Sequence, residues 1–76
     1  VEKWKYQTED FIRSSPAVNN EMVFVGSGDN HLHAIDINTG VKKWKFETNG
    51  GIVSSPAVEN GMVFIGSWDK CIYAIE

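Results

Sequence analysis

The sequence predicts an all-β protein made of two copies of one four-stranded unit, and three observations predict it. Shifted by 40, residues 1–36 align with residues 41–76 without a gap, and twenty of the 36 pairs are identical. Each copy carries short apolar runs rich in β-formers, such as Met22-Val23-Phe24-Val25, and no stretch holds a sustained helical period. Clusters of turn-forming residues separate those runs. A period near 40 built from short strands is the signature of a β-propeller, in which each repeat supplies one four-stranded blade. The chain therefore reads as two blade repeats, 1–40 and 41–76.

The elements follow in order. Residues 1–8 read as an outer strand, with Trp4 and Tyr6 on one side and Lys3 and Lys5 on the other. Residues 14–18, 22–27 and 31–36 read as three inner strands. Pro16 suits the innermost, whose axial side has no ladder partner, and the small Ser14 and Ser15 suit the crowding at a ring axis. Asn19-Asn20 predicts a tight hairpin with positive φ, and Ser27-Gly28-Asp29-Asn30 predicts the next. Asp36 to Gly40 predicts a third turn, with the Asp36 carboxylate accepting backbone N–H bonds and Gly40 in the left-handed region. Outer strand 41–48 follows, with Trp44 and Phe46 on one face, and then inner strands 54–58, 62–67 and 71–76, the first two joined by a tight hairpin at Asn60-Gly61.

The stretch Ala34-Ile-Asp36-Ile-Asn-Thr39-Gly40-Val-Lys-Lys-Trp44 resembles the tryptophan-docking motif, Ala-x-Asp-x-x-x-Gly-x-x-x-Trp, of propellers named for pyrroloquinoline quinone enzymes. Ser-Ser-Pro-Ala-Val and Val-Phe-Val-Gly-Ser upstream resemble the same family's blade. The resemblance covers nearly the whole chain and recurs at fixed spacing. It implies that Trp4 and Trp44 tie adjacent blades together by packing on the small Ala34 and Gly40 positions, with Asp36 shaping the loop between them; a flat indole buries much area where its neighbours are small. The second motif reads Ala74-Ile75-Glu76 and stops, while Val1-Glu2-Lys3-Trp4 matches what should follow it. Trp68-Asp69 is a Trp-Asp pair, but it aligns with Gly28-Asp29 and so is not a repeated WD signature.

Those ends lead to an expectation about assembly. Residues 54–76 form a blade without its outer strand, and residues 1–8 form an outer strand without its blade. Two blades cannot close a ring. Head-to-tail exchange of residues 1–8 between copies would complete both, and such heterologous contacts form rings when the rotation closes. Propellers have four to eight blades. The family resemblance favours eight, hence a tetramer, with a six-bladed trimer second. A chain of this length buries only about 60% of its unfolded surface, which is one more reason to expect association. The ends also suggest an excised or engineered piece of a longer protein.

The remaining function classes are narrowed by composition. Seven basic residues against ten acidic ones, with no basic patch, do not make a nucleic-acid interface. No apolar run approaches the roughly 20 residues of a membrane span. Cys71 is the single cysteine, so no intrachain disulfide forms. His31 and His33 share a strand face, a spacing that can serve a metal, but their counterparts are Cys71 and Tyr73 and no further ligand spacing appears; no metal or cofactor is expected. Asp29 and Asp69 read as turn residues bonding their own hairpins. Ser14, Ser15, Ser54 and Ser55 show no His-Asp partner pattern. Trp68 opposite Gly28 is the one bulky asymmetry and reads as an exposed packing or binding residue. The expectation is a non-catalytic structural or binding scaffold for a protein or peptide. A piece of an outer-membrane assembly propeller or of a quinoprotein dehydrogenase is the alternative. The resemblance implies an extracytoplasmic location.

Overall fold

The computed structural model describes residues 1–12 and 14–76. Among the described residues, seven strands form two antiparallel sheets. The first sheet contains β1 (Ala17–Asn19), β2 (Met22–Gly26), β3 (His31–Asp36) and β4 (Lys42–Glu47), in that order. The second contains β5 (Ala57–Glu59), β6 (Met62–Gly66) and β7 (Ile72–Ile75). The inter-strand registers repeat: Ala17 pairs with Phe24 as Ala57 pairs with Phe64, and Phe24 pairs with Ala34 as Phe64 pairs with Ala74.

Three expectations need correction. Residues 1–8 carry no strand, because no strand among the described residues lies beside them to supply a ladder. The innermost strands begin at Ala17 and Ala57 rather than at 14 and 54. Pro16 and Pro56 have no N–H to donate, and the Ser14 hydroxyl takes over the neighbouring ladder position: it accepts from Gly26 N at 2.9 Å and donates to Gly26 O at 3.1 Å. Ser54 repeats both bonds with Gly66. The first hairpin turns at Asn20 and Glu21, with φ of 50° and 63°, one residue later than Asn19-Asn20. Asn60 and Gly61, at 53° and 78°, match it in the second copy.

Each sheet has two faces, because side chains alternate along a strand. The front face of the first sheet carries Phe24, Leu32, Ala34, Trp44 and Phe46. It packs on the back face of the second, which carries Val58, Val63, Ile65, Tyr73 and Ile75. Ile52, on the connection between the sheets, is fully buried in the same cluster. Gly26 gives it room, since a Cβ there would overlap the Ile52 side chain. Burying each large aliphatic side chain contributes about 1.5–3 kcal/mol, so this one interface holds most of the hydrophobic stabilisation.

Candidate functional site

The candidate features of this fold are its inter-sheet contacts and the faces left without a neighbour among the described residues. Trp44 stands directly opposite Ala34 on β4 and β3, and its ring meets Phe24 at 5.9 Å between centroids. Ala34 is completely buried and leaves space for the indole. Beyond β4 the chain crosses to the second sheet through buried Thr48, which donates its N–H to Asn30 O at 2.8 Å and its hydroxyl to Gly50 O at 2.6 Å. Asn49 N then donates to Asp69 Oδ2 at 3.1 Å, and Trp68 N to Gly51 O at 3.0 Å. The Phe46 and Tyr73 rings meet edge to face at 5.6 Å.

Residues 1–12 make the same contacts with the first sheet, 40 positions earlier. Glu9 N donates to Asp29 Oδ2 at 3.2 Å, Gly28 N donates to Phe11 O at 3.0 Å, and Tyr6 meets His33 at 5.4 Å between ring centroids. The N-terminal arm therefore lies against the first sheet as the segment 41–52 lies against the second. Its position against the first sheet is the one that the outer strand β4 and its following segment hold against the second.

Trp4 extends this arm onto the turn between β3 and β4. Its Nε1–H donates to Ile37 O at 2.9 Å, and the ring covers Gly40. Gly40 has φ of 75°, and a Cβ on it would stand 2.6 Å from the indole, so both backbone and packing demand glycine. Asp36 shapes that turn by accepting from Asn38 N at 2.8 Å and Thr39 N at 3.1 Å, and those two bonds hold its carboxyl below the usual range. The structure thus brings together Trp4, Gly40 and Asp36 at one contact, and Trp44 with Ala34 at another. Ala74 is exposed on the front face of the second sheet, with no indole opposite it.

Two surfaces remain open. The β7 edge has no outer neighbour, and Cys71, Ile72 and Ala74 on it are exposed, Ile72 at 82%. On the back of the first sheet an apolar cleft of about 250 Å³ runs between the arm, at Trp4, Tyr6 and Ile12, and the sheet, at Val23, Val25 and Ile35.

His33 is buried and both ring nitrogens are engaged: Nε2 lies 3.1 Å from Asp29 Oδ2 and Nδ1 lies 3.1 Å from the Tyr6 hydroxyl. Burial pushes the His33 imidazole below its usual pKa despite the Asp29 carboxylate. Burial alone would raise Asp29, but N–H bonds from Glu9 and His31 and the His33 ring leave it lowered. In the second copy Tyr73 replaces His33 and donates its hydroxyl to Asp69, which pushes the phenol up to about 12 and lowers Asp69. No cluster of three or more His, Cys, Asp or Glu side chains suited to a metal occurs among the described residues.

Sequence reasoning placed Asp29 and Asp69 in their own turns. They do bond His31 N and Cys71 N locally, each at 3.0 Å, but the second oxygen of each reaches a different segment. The signal for this was the recurrence of Thr8-x₁₉-Gly28-Asp29 as Thr48-x₁₉-Trp68-Asp69 in aligned positions, which marks the two crossing points.

No curated protein matches the chain. A family model described as outer membrane protein assembly factor BamB, a pyrroloquinoline-quinone-type repeat, matches residues 2–76. With two blade-like sheets stacked front to back and that match over nearly every residue, the chain belongs to this propeller repeat family.

Proposed function

We propose that the chain is a non-catalytic propeller module that assembles head to tail into a closed ring and serves as a scaffold for partners. One observation carries this reading. The second sheet lacks a fourth strand at β7, and the same chain holds residues 1–8 in the place of an outer strand whose sheet is missing. Shifting the β3–β4 register by 40 gives the pairing between copies: Cys71 opposite Gln7, Ile72 opposite Tyr6, Tyr73 opposite Lys5 and Ala74 opposite Trp4. Trp4 would then meet Phe64 of the preceding copy as Trp44 meets Phe24. The open front of the second sheet would cover the apolar cleft beside Val23 and Val25. An unpaired edge of this kind otherwise invites irregular association.

Eight blades, and so four copies, is the favoured closure, with three copies second. Light scattering behind size-exclusion chromatography tests it. A mass of four chains supports an eight-bladed ring, and a mass of one chain overturns self-assembly. The family match favours a second reading, in which this pair of repeats is part of a longer assembly-type propeller, extracytoplasmic like the family, and the next repeat fills the β7 edge. A quinoprotein dehydrogenase origin has less support, because the short hairpins carry no carboxylate cluster among the described residues.

A further inference from the structure

A cleft of about 300 Å³ opens between the hairpin at 27–30, the hairpin at 67–70 and the two crossing segments. Its lining is Asp10, Gly28, Asn30, Gly51, Val53 and Trp68. Gly28 and Gly51 are among its lining and contribute no side chain. A Cβ on Gly51 would lie 3.7 Å from Gly28 Cα and 3.9 Å from Trp68 Cε3, and a Cβ on Gly28 would lie 3.1 Å from Asp10 Oδ2. The lining therefore includes one carboxylate, at Asp10, and one indole, at Trp68, with the glycines Gly28 and Gly51 between them. The Asp10 wall is anchored, since Oδ1 accepts from Phe11 N at 2.7 Å. The Trp68 wall is 69% exposed, so the indole contributes little to the core.

A second, independent observation singles out this slot. The copies agree at twenty of 36 aligned positions, yet every residue of the lining differs from its counterpart. Asp10 stands where the second copy has Gly50, Gly28 where it has Trp68, and Asn30 where it has Lys70. Gly51 and Val53 stand where the first copy has Phe11 and Arg13. Much of what builds the sheets repeats, Ala17, Val23, Phe24, Gly26 and Ala34 among it, whereas no residue of the slot does.

We propose that the slot binds an organic cation, an alkylammonium or guanidinium group, held between the Asp10 carboxylate and the Trp68 ring. An indole face attracts a cation through its quadrupole, and a carboxylate on the opposite wall adds charge and a hydrogen-bond acceptor. No described residue lining the slot is basic, and the chain carries a net charge of −3. All six residues come from one chain, so the site does not depend on ring closure.

The test is a titration of ¹⁵N-labelled protein followed by NMR, reading the Trp68 indole N–H and the Gly28 and Gly51 amides. The probes are tetramethylammonium chloride and methylguanidinium chloride, with tert-butanol as a neutral control and capped Lys and Arg tripeptides as the peptide source. Saturable shifts with the cations and none with tert-butanol support the site. Asp10→Asn and Trp68→Gly should each weaken binding about five-fold or more. Trp68→Gly installs the first copy's own residue at an exposed position, so the fold is retained. Tighter binding of the tripeptides assigns the ligand to a protein side chain, and equal binding assigns it to a free cation. Either result supports the cation chemistry. No saturable change up to about 100 mM, an equal response to tert-butanol, or affinity unchanged in both variants overturns it.

Discussion

Trp4 covers Gly40 so closely that a Cβ on the glycine would stand 2.6 Å from the indole, while Gly61 has the same left-handed backbone with nothing within 4 Å. The two glycines separate backbone strain from docking. Gly61→Ala should cost about 1–2 kcal/mol, the strain of placing an L-residue there. Gly40→Ala should cost at least about 1 kcal/mol more, because it also expels the indole. Urea unfolding of both variants measures the difference, and near-ultraviolet dichroism reads release of Trp4. Equal costs would mean that the arm adds nothing to stability.

Acid should loosen the same arm through His33. Its folded pKa is lowered, chiefly by burial, so the folded protein prefers the neutral ring. The unfolded ring titrates near 6.5. The stability linked to His33 is therefore fully present above about pH 6.5 and is lost as pH falls from there towards the lower folded pKa. Asp29, His31 and Lys45 carry the charges facing the ring, and Tyr6 contacts it from the arm. Asp29 and Asp69 are lowered instead, so their contribution is present above about pH 4 and is lost only below it. Melting curves between pH 7.5 and 5 thus separate His33 from the Asp29 and Asp69 carboxylates. His33→Tyr, which installs the second copy's residue, should flatten the dependence.

Glu21 occupies the left-handed region at φ 63°, where the second copy has Gly61. Its carbonyl accepts from Ile37 N at 2.9 Å, a backbone bond that glycine keeps. Glu21→Gly should stabilise the chain by about 0.5–1 kcal/mol, the relieved strain less the glycine's larger unfolded entropy. A higher urea midpoint with an unchanged slope checks it.

Most of this architecture was legible in the repeat. Alternation fixed which faces of Met22–Gly26 and His31–Asp36 meet neighbours, and Asp36 to Gly40 announced its own turn. The extent of the innermost strands was not legible, because Ser14 replaces a ladder bond by a side-chain bond that no propensity encodes. Nor was the arm's conformation. Trp4 and Tyr6 have the pattern of a strand, but a strand needs a partner, and within one chain residues 1–8 dock through the Trp4 and Tyr6 side chains, with backbone bonds only further along, at Glu9 and Phe11. The slot at Asp10 and Trp68 showed in the sequence only as disagreement between the copies, since its four remote segments meet only on folding.

The pairing of residues 1–8 with β7 of another copy has a direct covalent test. Thr48 N bonds Asn30 O at 2.8 Å, so the next pair, His31 and Glu47, is a non-hydrogen-bonded pair, with Cα atoms about 4.5 Å apart. In the proposed exchange the equivalent pair between copies is Cys71 with Gln7, a separation that a disulfide spans. Cys71 is free and exposed, so a single substitution, Gln7→Cys, supplies the partner. Under mild oxidation this variant should form disulfide-linked multimers on a non-reducing gel, ending at the ring size given by light scattering, while Lys3→Cys, four residues out of register with Cys71, should not. A Gln7→Cys protein that stays monomeric on that gel, although its solution mass is that of an oligomer, would contradict strand exchange and leave some other contact to hold the copies together.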